Sequence, residues 1–234
     1  MTIVAGVDGC RAGWLCITRD LDTGRIESAV FENAESLVQQ KPEPSIIAVD
    51  IPIGLTEAGP RQCDLIARKL LGRRASSVFP TPVRGILRAR TRLEADRILR
   101  RIEGKCVPAQ AFAIFRKVLE FDEILSLEPR LQDRIKEVHP EVCFRAWTNN
   151  SAMSFRKRSK SGRAERHKLV TSRFGVKVVE EIRNKYLVKD VAHDDIYDAF
   201  AALRTAGRIL EKKAAVIPDP SPVDAKGLHM EMWY

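Results

Sequence analysis

Residues 3–9 read Ile3-Val4-Ala5-Gly6-Val7-Asp8-Gly9, an apolar run that stops on an acid and a glycine. Its β-branched and small residues, bounded by glycine, predict a buried strand. A carboxylate ending such a strand is costly, because desolvating an ionised Asp takes several kcal/mol unless a partner offsets it. The same signature returns at Ile46-Ile47-Ala48-Val49-Asp50, apolar throughout, as in a central strand covered on both faces. Asp195 and Asp198 then open an amphipathic stretch near the C-terminus. Two strand-end acids and a helix-borne pair predict a divalent-metal site, and with it phosphate chemistry.

Working outward, residues 13–19 and 25–31 join 2–8 as strands, with Leu21-Asp22-Thr23-Gly24 as a hairpin turn. A short helix follows, capped by Asn33, with Leu37 and Val38 facing inward. Pro52 and Gly54 end the strand at 45–50. The expected class is α/β: a three-strand antiparallel meander plus parallel strands in one mixed sheet, flanked by helices. Helices are predicted at 61–71 (stopped by Gly72), 91–103 (stopped by Gly104) and 108–127. Between them, Pro80 and Pro82 exclude regular helix over 76–82. A strand at 134–138 leads into His139-Pro140-Glu141, and helices are expected at 163–174, 178–186 and 194–212. Residues 1–234 thus read as one domain, with roughly 60–130 as a helical insertion between sheet strands. Pro218-Asp219-Pro220-Ser221-Pro222 is an extended connector, after which Leu228–Tyr234 is expected to pack back.

A chain of 234 residues can bury one sizeable core. No apolar run approaches the ~18 residues that cross a bilayer, and no basic leader precedes the first strand, so a soluble, cytoplasmic protein with no membrane partner is expected. The five cysteines are scattered without CxxC spacing, which predicts reduced thiols and no zinc site. A formal charge of +9 favours a polyanionic partner. That charge concentrates in two segments. Arg84, Arg88, Arg90, Arg92, Arg97, Arg100 and Arg101 form one, and Arg156, Lys157, Arg158, Lys160, Arg163, Arg166 and Lys168 the other. Either run alone is ordinary for a solvated face. Together, beside a metal site, they predict a track for a phosphate backbone, hence a nucleic-acid partner. Neither carries the interleaved aromatics of a stacking platform, so sequence-specific readout is not indicated.

Each acid has a competing structural explanation. Asp8-Gly9 fits a turn. Asp50 fits one less well, because Ile51-Pro52-Ile53 follow. On the 194–210 helix, charge complementing the dipole explains Asp194 well, Asp195 partly and Asp198 poorly. Glu141 is equally a helix-start acid beside Pro140 or another oxygen ligand. His139 reads as a hydrogen-bonded structural histidine, and His193 precedes the acid pair. Four or five clustered carboxylates resist full ionisation without cations, and an all-oxygen set suits Mg²⁺ or Mn²⁺, expected as two ions. No Walker loop, dinucleotide fingerprint, Gly-x-Ser-x-Gly elbow or His-Glu-x-x-His motif competes.

The order strand-Asp8, meander, helix, strand-Asp50 and late acidic helix resembles the RNase H-like fold. Asp195-Ile196-Tyr197-Asp198-Ala199-Phe200-Ala201 is similar to the Asp-x-x-Asp-Ala-x-Ala helix of RuvC-type resolvases. The whole chain more closely resembles a prokaryotic family of uncharacterised predicted nucleases of that fold. The resemblance is carried by Gly6-Val7-Asp8-Gly9-Cys10-Arg11, Asp50-Ile51-Pro52-Ile53-Gly54-Leu55, Ser76-Ser77-Val78-Phe79-Pro80, His139-Pro140-Glu141 and Asp194-Asp195-Ile196-Tyr197-Asp198-Ala199. It implies Asp8, Asp50, Asp195 and Asp198 as metal ligands and Glu141 as a further catalytic acid. Arg11 matches the family without an assigned role. Arg73, Arg74, Arg84, Ser76 and Ser77 are expected as a lid over the scissile phosphate, and Arg156, Arg158 and Arg163 as further phosphate contacts. The long insertion and the missing acid on the first helix depart from the RuvC type, so Holliday-junction resolution does not transfer.

The leading expectation is metal-dependent hydrolysis of phosphodiesters in nucleic acid, with the polymer and the oligomeric state (a homodimer included) open. The alternatives are actin-like phosphotransferase or ATPase chemistry, which needs two such domains, and a nucleic-acid-binding protein of the same fold without turnover.

Overall fold

Strands β1 (Ile3–Cys10), β2 (Gly13–Asp20) and β3 (Ile26–Phe31) form the antiparallel meander in a computed structural model that describes residues 1–234. β4 (Ile46–Val49) then pairs parallel with β1, and β5 (Ile135–Glu137) parallel with β4. The five-stranded order is β3-β2-β1-β4-β5, a mixed sheet consistent with an RNase H-like fold.

The period-2 alternation of β1 decides where the acids go. Ala5 and Val7 join Trp14, Cys16, Ile47 and Val49 in one core, while Val4 and Cys10 join Leu15, Ile17, Ile46 and Ala48 in the other. Asp8 shares parity with Val4, and Asp50 with Ile46 and Ala48, so both carboxylates project to the second face. That face is covered by α6 (Pro140–Trp147), α7 (Lys160–Phe174), α8 (Val176–Lys185) and α9 (His193–Leu210). Helix α9 lies along β1 and reaches β4 and β2. The approach is close because Gly6 has no side chain: a Cβ there would sit 2.1 Å from Leu203 N and 2.2 Å from Ala199 O.

The first face is covered by α1 (Ala34–Val38) and by the helices between β4 and β5. Of these, α3 (Arg92–Glu103), α4 (Ala109–Ala113) and α5 (Phe115–Leu127) supply the cover, whereas α2 (Gln62–Leu71) packs with Val142 of α6 and the C-terminal Ile217 and Met232 in a third, smaller core; 3₁₀ turns lie at Gly72–Ser77, Arg84–Ile86 and Pro129–Asp133. Predicted caps are in place: Asn33 accepts from Ser36 N at 2.9 Å, and Gly104 closes α3 in the left-handed conformation.

Three details differ from the sequence reading. The helix expected over 108–127 is two, broken at Ile114 (φ −102°, ψ −1°). No Pro or Gly marks that break, and apolar spacing runs through it from Ala111 to Phe115 and Val118. Residues 140–147 form a helix, where only a helix-start acid was expected. The C-terminal segment packs back as predicted but also pairs, with β6 (Val216–Ile217) against β7 (Met232–Trp233) and Trp233 bridging to Val138.

Two buried ion clusters hold this C-terminal return and the loop after β4. Fully buried Arg61 bonds Asp64 (2.7 Å), Glu137 (2.6 Å) and the Ile53 carbonyl (2.9 Å), while Glu137 accepts from Ile53 N. Arg84 joins Asp122 (2.8 Å) to Asp224, which also accepts from the Leu55 and Leu228 amides. All five cysteines are free, and no helix is long and apolar enough to cross a membrane.

Candidate acidic centre

The β1–β4 register places Val7 opposite Val49, and the Asp50 amide bonds the Val7 carbonyl at 3.0 Å. Asp8 and Asp50 therefore leave neighbouring strands one step beyond the pairing, at their carboxyl ends. Helix α9 runs antiparallel to β1 and brings its first turns to the same end. Asp8 is 7% and Asp198 1% exposed, while Asp50 and Asp195 are half-buried.

Their mutual influence shows in their proton affinities. Burial, then the charges of Asp50, Asp198 and Asp195, hold the Asp8 carboxyl well above the usual range. Burial pushes Asp50 up to about 6, with Asp198 adding to the rise while His139 and Lys157 oppose it. Asp194 and Asp195 are also raised, first by burial. Asp195 is partly spent on its own helix, since its Oδ2 accepts from the Ala192 amide at 2.7 Å.

The ion partner of Asp198 is Lys157, whose ammonium lies 2.8 Å from Oδ2; Asp198 Oδ1 is buried without a partner. Asp198, then Asp8 and Asp50, draw the lysine's pKa upward. Lys157 reaches inward from a tight turn in which Ser159 N bonds Arg156 O at 2.9 Å and Ser159 caps α7 through Gly162 N. A Cβ on Gly162 would sit 1.9 Å from Arg156 O, so this seat requires glycine. Within the basic segment nothing distinguishes Lys157 from Arg156 or Arg158, and only the fold singles it out.

A second unexpected cation is Lys117 of α5. It bonds the Gly13 carbonyl, stands 4.2 Å over the Trp14 ring, and passes Gly9, where a Cβ would meet its Cδ at 3.0 Å. Burial lowers its pKa, against the opposing pull of Cys10, Glu120 and Asp8. Asp194, assigned to the helix dipole from sequence, has a buried unpartnered Oδ1 and feels Asp198, Lys157, Arg163 and Arg158.

The other expected residues divide. Arg74 donates to Phe155 O at 2.8 Å, and His139 Nε2 lies 3.3 Å from Ser77 O. The 3₁₀ turn Gly72–Ser77 thus joins the Lys157-bearing loop at the rim of the acids. Arg73, Ser76, Arg156, Arg158 and Arg163 are exposed, Ser77 half-buried, and Arg11 exposed in the β1–β2 turn beyond Asp8. Two residues are committed elsewhere. Glu141 is bonded by fully buried Arg166 (Nε at 3.1 Å), and Arg84 lies in the Asp122–Asp224 cluster.

The donor set suits a hard cation: several carboxylates, raised pKa values, buried unpartnered oxygens and an ammonium standing in as counter-charge. It is not closed on one point. The three ligand-type side chains whose donor atoms all lie within 4.8 Å are Cys63, Asp64 and Glu137, and there Arg61 supplies the counter-charge.

Sheet order and acid placement define an α/β protein consistent with the RNase H-like class. The chain belongs to the family described as "Protein of unknown function (DUF429)", whose model matches residues 6–223. No curated protein and no solved structure matches it.

Proposed function

We propose that this chain is a divalent-metal-dependent nuclease that hydrolyses phosphodiester bonds of nucleic acid. The observation that carries the reading is the convergence of Asp8, Asp50 and Asp198 from β1, β4 and α9 beneath a lysine from a basic loop. Asp8, Asp50 and Asp198 would hold Mg²⁺ or Mn²⁺, with Asp195 beside them. A metal held there would supply Lewis acidity for activating water and offsetting phosphate charge.

The chain's own residues account for the rest. Burial and the neighbouring carboxylates raise the proton affinity of Asp8 and Asp50, so protons compete with a cation there and the cation gains as pH rises. Lys157 neutralises Asp198 and keeps the acids from repelling a polyanion. Arg158, Arg163 and Arg74 stand around the mouth, where they would bind backbone phosphates independently of sequence. Asp50→Asn should abolish Mn²⁺-dependent cleavage of single- or double-stranded oligonucleotides while leaving the melting transition cooperative; unchanged cleavage would sink the proposal.

One observation favours a second reading, nucleic-acid binding without turnover. The Lys157–Asp198 pair already neutralises part of the centre, and a protein that never takes up metal would keep it permanently. Tight, salt-sensitive binding with no cleavage under any divalent metal would select that reading.

A further inference from the structure

At the other end of α9, about 9–15 Å along the helix from Asp198 at 1.5 Å per residue, lies a cleft of about 350 Å³. Its arginines come from three elements: Arg19 on β2, Arg173 at the end of α7, and Arg204 and Arg208 on α9. One carboxylate, Glu211, reaches the cleft, and it is taken by Lys213 at 2.8 Å. None of the four arginines makes an ion pair; three are half-buried and Arg173 is exposed, whereas the two fully buried arginines of this chain, Arg61 and Arg166, are both paired with carboxylates.

Arg19 Nε, Arg204 Nη1 and Arg208 Nε are each buried without a hydrogen-bond partner. A buried donor left unpaired is destabilising, so three around one cleft call for an acceptor. Complementing the negative end of the α9 dipole explains Arg208 alone. It does not explain Arg19 or Arg173, which come from other elements. Trp147 forms one wall, but Arg204 lies over its ring at 4.9 Å and Phe144 stacks on it at 6.0 Å, so it offers no face to an aromatic ligand. Burial and the neighbouring charges of Arg208 and Arg173 already depress the Arg204 pKa, which an anion would relieve.

We infer that this cleft is a second binding site, specific for a multiply charged phosphate held by Arg19, Arg173, Arg204 and Arg208. Four guanidinium forks against no free carboxylate exceed what a monoanion can neutralise. Paired phosphate oxygens match their bidentate geometry. Two sources share this chemistry, a free oligophosphate or adjacent phosphates of a nucleic-acid strand. The inference holds whether or not the aspartate centre cleaves anything.

The test is titration of inorganic pyrophosphate into the full chain in metal-stripped buffer at fixed ionic strength, so that the aspartates cannot recruit phosphate through a cation. Calorimetry should show saturable binding, and the fluorescence of Trp147 should change with it. Arg173→Glu, at an exposed position, and Arg19→Gln should each weaken binding by about tenfold or more, while Asp50→Asn should leave it unchanged. No saturable heat, equal affinity in Arg173→Glu and wild type, or loss confined to Asp50→Asn would each overturn the site. A short oligonucleotide that displaces pyrophosphate, with a shallower salt dependence in Arg173→Glu, identifies the strand as the source; saturable pyrophosphate binding that it does not displace identifies a free oligophosphate.

Discussion

The Lys157 ammonium sits 2.8 Å from Asp198 Oδ2, so a lysine of the basic loop is the ion partner of an acid on the closing helix. Asp198 is 1% exposed, whereas the Lys157 side chain keeps 42% of its surface. The acid is fixed, and the lysine is the member of the pair able to leave.

Removing that lysine should have two opposite effects. Lys157→Ala leaves a buried carboxylate unpaired, which should cost the metal-free protein about 2 kcal/mol in urea unfolding at neutral pH. The same variant should bind Mn²⁺ about tenfold more tightly, as one unit of competing charge is gone. Paramagnetic resonance of free Mn²⁺ measures this directly, and an unchanged affinity would show that Lys157 does not share the cation site.

The raised acids set a pH dependence of definite sign. Asp50 moves from the ordinary 3.8 up to about 6, and Asp8 moves the same way. The folded state therefore holds protons that the unfolded chain releases, and this stabilisation is complete below the unfolded value and lost as pH rises through the folded one. Without metal, the melting temperature of wild type relative to Asp50→Asn should fall between about pH 4 and pH 7. Saturating Mn²⁺ should reverse the trend. A pH-independent difference between the two proteins would contradict the burial of Asp50.

Arg84 ties the segment after α2 to α5 and to the C-terminal return. Arg84→Ala would strand the buried Asp122 and Asp224 carboxylates, although Lys226 still reaches Asp122 at 2.6 Å. A loss of about 3 kcal/mol is expected in denaturant. Mn²⁺ affinity at the aspartates should hold, since this cluster is built from other residues. A stable variant with tighter Mn²⁺ binding, as expected when a cation beside the acids is removed, would instead return Arg84 to the site.

Gly162→Ala tests the seat of the Lys157 turn. The new methyl would fall 1.9 Å from the Arg156 carbonyl, so the turn must move although alanine favours the helix. The variant should keep its helical circular dichroism yet acquire the tighter Mn²⁺ binding expected of Lys157→Ala. Wild-type Mn²⁺ affinity would mean that Lys157 reaches Asp198 independently of that turn.

How much could be read from sequence follows the range of each interaction. Asp8 and Asp50 were legible because alternation along one strand and apolarity along another carry local signals, and parity alone puts both on one face. The α9 acids were legible from helical spacing. Lys157 was not, because its role depends on a turn folded onto a helix 41 residues away. Nor were the Arg166–Glu141 and Arg84–Asp224 pairs, whose partners lie 25 and 140 residues apart, so that Glu141 and Arg84 read as site residues when their partners were out of view. The break at Ile114 escaped for the opposite reason, as local periodicity continues straight through it.

Helix α9 carries the aspartates at one end and the unpaired arginines at the other, and Gly6 lets its backbone sink onto β1 between them. With Leu203 and Ala199 lodged in that notch, the helix cannot slide along its axis without lifting off the strand. A ligand in the arginine cleft therefore has no piston by which to signal to the acids. Any influence between the two ends must travel through charge, or through α7, which brings Arg173 to the cleft and opens directly after the Lys157 turn.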